Sequence, residues 1–233
     1  MSYPAKSGYR DPATAASYDR QRFTSLWGRL VGAREIQTML AGLDSLGANA
    51  QAVILDIPAG TCRLSFAALN AQRKVISIDI SHSMLTTGRT NRGMAKTANF
   101  LGAVVGDVEC LPVRDRSVDA VACLRLMGHL PAEQKRRAIA EALRISRLGA
   151  VVMFARRTAL LKAKRRLLVR LGLRFASQVW FDETDITIAG LIDEAGGSVL
   201  RTIDTFCPFA ESRLYVIRRN NERFRDAGTD CRH

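Results

Sequence analysis

Two aspartates, each closing a short apolar run, set out the chemistry that this sequence could do. Asp56 ends Val53-Ile54-Leu55, and Asp79 ends Val75-Ile76-Ser77-Ile78. Runs of this length, rich in β-branched residues, have the composition of strands. After Asp56 the chain passes through Pro58, Ala59, Gly60 and Thr61, and a helical pattern begins near Arg63. Strand, tight small-residue turn and helix are the parts from which an open α/β sheet makes a ligand crevice at a strand's carboxyl end. Small residues let a ligand come close to the turn backbone, and glycine needs no side-chain clearance. An acid at the end of the second strand, about twenty residues on, suits the two hydroxyls of a ribose.

Such acids are useful only if strands and helices alternate around them, and the pattern of the chain supplies that alternation. Residues 1–10 are expected to be flexible. Asp11 and Pro12 then make a good helix start, with a helix expected from Ala13 to Arg22. A second helix, from about Ser25 to Leu46, carries Leu26, Leu30, Ile36, Leu40 and Leu43 as a helical stripe. Beyond the first strand and turn, a short helix is expected over 63–69, a strand over 74–79 and a helix from Ser81 to about Met94. Strands follow at 100–105 and 118–124. The helix from Pro131 to Arg147 opens on Pro-Ala-Glu and ends in basic residues before Gly149. A fifth strand is expected over 150–154, a helix over 182–195 closed by Gly196-Gly197, and a final strand pair over 199–205 and 214–218. This alternation predicts an α/β fold with a parallel, doubly wound sheet.

The 233 residues suit one domain with a sizeable core, and 47% of them are apolar, as in ordinary globular proteins. No apolar run reaches the roughly eighteen residues of a spanning helix. The first ten residues lack the apolar centre of a signal peptide, so a cytoplasmic location is expected, with peripheral attachment to a membrane as an addition to it. Cysteines at 62, 110, 123, 207 and 231 form no Cys-x-x-Cys pair, which suits reduced thiols used mainly for packing. Histidines at 82, 129 and 233 form no cluster, and no metal site is expected. The net charge of +13 points to a phosphate-bearing substrate, anionic lipid or a polyanionic partner.

At the strand ends the chain resembles the class I S-adenosylmethionine-dependent methyltransferases. Asp56-Ile-Pro58-Ala-Gly60-Thr-Cys62 is similar to that family's acid-x-Gly-x-Gly-x-Gly turn, with only the middle glycine kept. Asp79-Ile-Ser81-His-Ser-Met84-Leu85 resembles the end of its second strand. Gly106-Asp107-Val108-Glu109-Cys-Leu111-Pro112 resembles the loop that frames the adenine, and Ser117-Val-Asp119-Ala-Val121 the opening of the fourth strand. The resemblance runs from about Tyr18 to Arg218. It implies a Rossmann-like, mostly parallel seven-stranded sheet with an antiparallel edge strand. It also implies S-adenosyl-L-methionine as cofactor. On this likeness Asp56 would receive the methionine amino group and Gly60 would let that moiety approach the backbone. Asp79 would accept the ribose hydroxyls, Met84 would wall the adenine, Asp107 would take its amino group, and Val108 would cover the ring. Tyr18 and Arg22 resemble residues of a leading helical segment that reach the cofactor's methionine end. Residues 1–50 are accordingly expected to be a helical lid, and 51–233 the catalytic domain with a basic helical insertion at about 156–180.

In the family the loop after the fourth strand faces the transferable methyl group. Here it reads Cys123-Leu-Arg125-Leu-Met-Gly128-His129-Leu130. His129 is the central histidine able to act as a general base near neutral pH. Arg125 could hold an anionic substrate group, and Glu109 is a further candidate. The loop lacks the Asn/Asp-Pro-Pro-aromatic motif of methylases acting on base amino groups, and no Pro-Cys dipeptide offers a nucleophile for cytosine. From Arg156 to Arg174 there are eight basic residues and no acid. Leu160, Leu167, Leu168 and Leu171 share a helical face there, with Lys164, Arg165, Arg166 and Arg170 mostly around it. That helix either packs as a crossover with a solvated basic rim or meets anionic lipid or a phosphorylated, greasy substrate. The reading favoured by these residues is methyl transfer to a small-molecule or lipid-linked acceptor, on oxygen. The alternatives are an RNA methyltransferase exploiting the basic segment and a cofactor-binding protein without catalysis.

Overall fold

A computed structural model describes residues 18–19, 24–156, 159–170, 172, 181–205 and 212–220. The expected helix over 13–22 lies outside these residues except for Tyr18 and Asp19, as do Arg22 itself and much of 156–180. The described elements are α1 (Leu26–Ser45), β1 (Val53–Asp56), α2 (Arg63–Asn70), β2 (Lys74–Asp79) and α3 (His82–Asn91). They continue with β3 (Phe100–Val105), β4 (Val118–Cys123), α4 (Ala132–Ile145), β5 (Ser146–Ala155) and α5 (Ala159–Arg170). The chain ends in α6 (Asp185–Glu194), β6 (Gly197–Asp204) and β7 (Ser212–Arg219).

The seven strands form one sheet in the order β3-β2-β1-β4-β5-β7-β6. The first five are mutually parallel, and β7 runs antiparallel to both β5 and β6. The antiparallel strand therefore stands one place in from the side of the sheet, with β6 outside it. The order reverses between β1 and β4, which puts the crevice at the carboxyl ends of β1, β2 and β4.

Strand alternation sorts the core into two faces. Ile54, Ala120, Ala122, Val151, Met153, Leu214 and Val216 pack with Met39 and Leu43 of α1. Their neighbours Leu55, Val121, Cys123, Val152, Phe154, Tyr215 and Ile217 pack with α4 and α6 through Ile139, Leu143, Ile188 and Ile192. Alanines in β4 and Gly42 in α1 let that helix lie close: a Cβ on Gly42 would come within 2.7 Å of a Val151 methyl. The C-terminal half of α1 is thus part of the sheet's cover.

One boundary differs instructively from the expectation. Helix α4 stops at Ile145 and β5 begins at once, so Gly149 is a strand residue and not a helix stop. Its φ is +137°, and a Cβ there would collide with the Ile217 carbonyl of β7. A glycine needed for close strand passage has the sequence appearance of a helix terminator. Gly196 does close α6, at φ +79°, whereas Gly197 is already the first residue of β6.

Candidate cofactor crevice at the strand ends

Asp56 is buried at the end of β1, inside the turn that leads to α2. Its Oδ2 accepts a hydrogen bond from Ser65 Oγ at 2.6 Å, and Ser65 in turn lies 2.7 Å from Ser77 Oγ. Its Oδ1 has no hydrogen-bond partner among the described residues. Burial pushes the carboxyl up to about 7, against the pull of the Ser65 hydrogen bonds and with a further push from Asp79. A buried acid with one oxygen satisfied and one without a partner among the described residues has room for a further donor.

The turn after Asp56 passes through a cis Ile57–Pro58 bond to Gly60 at φ +52° and Cys62 at φ +56°. A Cβ on Gly60 would meet nothing within 4 Å, so this backbone faces open space. Cys62 is fully buried and caps α2 in the left-handed region, a conformation for which glycine is the usual residue. Its thiol is pushed up to about 12 by burial.

Asp79, at the end of β2, is tied to the same turn. Its Oδ2 accepts from the Gly60 N–H at 2.7 Å and its Oδ1 from the Ser81 N–H at 2.9 Å. Burial raises its carboxyl above the ordinary value, against the N–H groups of Ser81, Gly60 and Ile80. Ser81 caps α3 and accepts from the Met84 N–H, and Met84 is buried in the first turn of that helix. Asp56, Gly60, Asp79 and Met84 therefore converge.

At the end of β3, Asp107 Oδ1 accepts from the Glu109 N–H at 3.2 Å, and Val108 is buried. The loop is pinned from below by α4. Glu141 accepts from the Leu111 N–H at 2.8 Å, and Arg144 donates to the Leu111 and Val113 carbonyls. After β4, Arg125 stands at φ +61° and donates from Nε to Glu35 Oε2 of α1 at 2.7 Å. The guanidinium is thus engaged by a buried acid rather than held for a substrate alone. His129 follows in a short 3-10 turn, half-buried, with its N–H on the Leu126 carbonyl.

Several residues that organise this crevice carried no readable sign in the sequence. Thr61 Oγ1 donates to Asp19, Arg92 donates to both Asp19 and the Thr61 carbonyl, and Arg63 stands among Asp19, Glu35, Arg92 and Arg125. Gly88 of α3 lies against the turn so closely that a Cβ would come within 2.5 Å of the Thr61 carbonyl carbon. Lys135 of α4, fully buried, donates to the Phe181 carbonyl and to Glu183, while the Phe181 N–H donates to Gly128 beside His129. Phe181, which follows the basic segment in sequence, therefore lies beside the loop that holds His129. Of the expected residues, Tyr18 precedes Asp19 in the leading segment, and Arg22 is outside the described residues.

Residues 54–149 match the family model of the methyltransferase domain. Over 125 residues the chain is 35% identical to a malonyl-[acyl-carrier protein] O-methyltransferase of Methylococcus capsulatus, covering 52% of this chain and 43% of that protein. Over 99 residues it is 33% identical to a ubiquinone/menaquinone biosynthesis C-methyltransferase of Bartonella bacilliformis, covering 41% of this chain and 37% of that one. The chain thus spans less than half the length of either curated relative. Among solved structures, magnesium protoporphyrin IX methyltransferase from Synechocystis with bound S-adenosylhomocysteine superposes with a TM-score of 0.72 at 21% identity. That match covers 92% of this chain and 99% of the other, and it is a likeness of fold. With strand-end acids at β1, β2 and β3 on such a sheet, and a methyltransferase domain model matched over residues 54–149, the chain is similar in sequence and fold to the class I S-adenosylmethionine-dependent methyltransferases.

Proposed function

We propose that this protein transfers the methyl group of S-adenosyl-L-methionine to an oxygen of a small-molecule or lipid-linked acceptor. The observation that carries the reading is the buried Asp56 carboxylate, with Oδ1 unpartnered among the described residues, beside the open backbone of Gly60. An ammonium group and a close-lying amino-acid backbone are what such a pair fits. The cofactor supplies a methyl group already activated on a sulfonium. The chain's own work is to hold the donor and to orient the acceptor.

Asp56 takes the amino group of the methionine moiety, and Gly60 lets that moiety lie on the turn. Asp79 takes the ribose hydroxyls with the lone pairs that the Gly60 and Ser81 N–H groups leave. Met84 and Val108 wall the adenine, and Asp107 accepts from its amino group. Tyr18 and Arg22 close the methionine end. His129 removes the proton of an acceptor hydroxyl at an imidazole nitrogen, and Arg125 orients an anionic group of the acceptor. One relative is named for O-methylation of an acid carried on a protein, the other for C-methylation in quinone biosynthesis. The acidic acceptor of the first agrees with an arginine on the catalytic loop.

A contact with anionic lipid accompanies this reading. On α5, Leu167 is 58% and Val169 43% exposed, between exposed Arg166 and Arg170. Apolar side chains flanked by arginines suit an interface that is greasy and negative.

Calorimetric titration with S-adenosylmethionine and S-adenosylhomocysteine tests the proposal. Micromolar binding is expected, and labelled cofactor then finds the acceptor. Asp79→Ala should weaken cofactor binding by at least about 1 kcal/mol through lost charge-assisted hydrogen bonds. A folded protein that binds neither ligand at millimolar concentration overturns the proposal, and unchanged affinity in folded Asp79→Ala overturns the ribose assignment.

A further inference from the structure

We infer that Asp19 and Arg92 form a latch that sets the shape of the cofactor turn from outside the crevice, which makes both of them positioning residues for cofactor affinity. The inference rests on the cofactor reading given above and adds to it the device that holds the turn.

Three residues close a ring. Thr61 Oγ1 donates to Asp19 Oδ1 at 2.7 Å, Arg92 Nη2 donates to Asp19 Oδ2 at 2.8 Å, and Arg92 Nε donates to the Thr61 carbonyl at 2.8 Å. Both carboxylate oxygens of Asp19 are used, and one guanidinium spans the carboxylate and the turn. Thr61 is buried and sits between Gly60, whose N–H reaches Asp79, and Cys62, whose backbone is left-handed. Moving the Thr61 peptide therefore moves the Gly60 N–H and the cap of α2 together.

An exposed ion pair by itself contributes little. Here Asp19 and Arg92 are partly covered, and each also bonds to Thr61, so their value lies in the geometry they impose. The turn needs such support because Cys62 holds a left-handed backbone that a residue with a Cβ adopts at a cost. The ring also joins three stretches far apart in sequence: Tyr18–Asp19, the β1–α2 turn and the end of α3. Glu35, Arg125 and Arg63 are the other charges around it, and Arg63 is itself drawn to Asp19.

The test is a double-mutant cycle read by titration with S-adenosylhomocysteine on the full chain. Asp19→Ala and Arg92→Ala are each expected to weaken binding about tenfold, as a charge-assisted hydrogen bond predicts. The double variant should bind within about threefold of either single, because the ring is already open in each. Thr61→Ser keeps the hydroxyl and should keep the affinity, whereas Thr61→Val should lose it. A purely structural role would lower the unfolding temperature with Kd unchanged in the folded protein. Unchanged Kd in either single variant overturns the latch, as do losses that multiply in the double. If the unaltered protein itself binds no S-adenosylhomocysteine, the cofactor reading falls and the latch with it. Binding by the unaltered protein with indifferent variants removes the latch alone.

Discussion

Asp56 is the residue whose environment makes the sharpest demand on chemistry. Burial holds its carboxyl protonated up to about 7, whereas the same group in the unfolded chain ionises near 3.8. Between those values the folded state keeps a proton that the unfolded state releases. The stability this group contributes is therefore present below about pH 4 and is lost as pH rises through about 7. A ligand ammonium facing the carboxylate reverses the preference, because the charged acid is then the favoured form. Cofactor affinity should accordingly rise from pH 5.5 to pH 7.5 by roughly twentyfold, with proton release on binding. Calorimetry in buffers of different ionisation enthalpy measures both quantities. Asp56→Asn should bind weakly and without this pH dependence, while a flat profile in the unaltered protein would remove Asp56 from the ammonium site. Its position was legible in the sequence because an acid closing a β-branched run before small residues has a type and a place. Ser65, Glu35 and Arg92 were not legible, since a serine inside a helix or an arginine at a helix end is chemically ordinary until the fold gives it a partner.

At the scale of elements, helix α3 does for the turn what the turn's own sequence does not. A glycine-rich turn settles against its neighbours because nothing projects from it. In this chain Pro58 and Cys62 project, and Gly88 on the facing helix provides the clearance instead. Gly88→Ala would place a methyl group 2.5 Å from the Thr61 carbonyl carbon and 2.9 Å from the Cys62 nitrogen, so either α3 or the turn must shift. The expected cost is about 1–3 kcal/mol of stability, the usual range for overpacking. Binding of S-adenosylhomocysteine should fall about tenfold, since the Gly60 N–H moves with the turn. Chemical denaturation together with titration separates the two effects, and normal affinity in Gly88→Ala would show that α3 yields instead of the turn. The strands, most helices and their order could be read from periodicity and caps. Exceptions arose where a glycine served tertiary packing: Gly149 resembled a helix stop, and Gly88 had no local signature at all. Elements joined by short turns write their boundaries into the sequence, while close approach between distant backbones does not.

For the whole molecule, the net charge of +13 is carried outside the core, because among the described residues the buried Arg73, Lys135 and Arg156 each pair with an acid. No described helix is long and apolar enough to cross a membrane. What α5 offers is a short exposed stretch of alternating character: Arg166, Leu167, Val169 and Arg170. It follows β5 directly, so it leaves the sheet at the end where the crevice opens. A lipid-linked acceptor held in an anionic bilayer would then meet the enzyme at the mouth of its site. Each basic residue near such a surface is worth about 1 kcal/mol, and the attraction fades within about 10 Å at 0.1 M salt. The protein should therefore sediment with vesicles containing phosphatidylserine at low ionic strength and be released as salt is raised. Replacing Arg166 and Arg170 together by Glu should weaken that association by at least about tenfold while leaving S-adenosylhomocysteine binding intact. Equal binding to neutral and anionic vesicles would assign the attachment to Leu167 and Val169 alone. No binding to either at low salt would return α5 to a solvated crossover and leave a freely diffusing acceptor as the substrate.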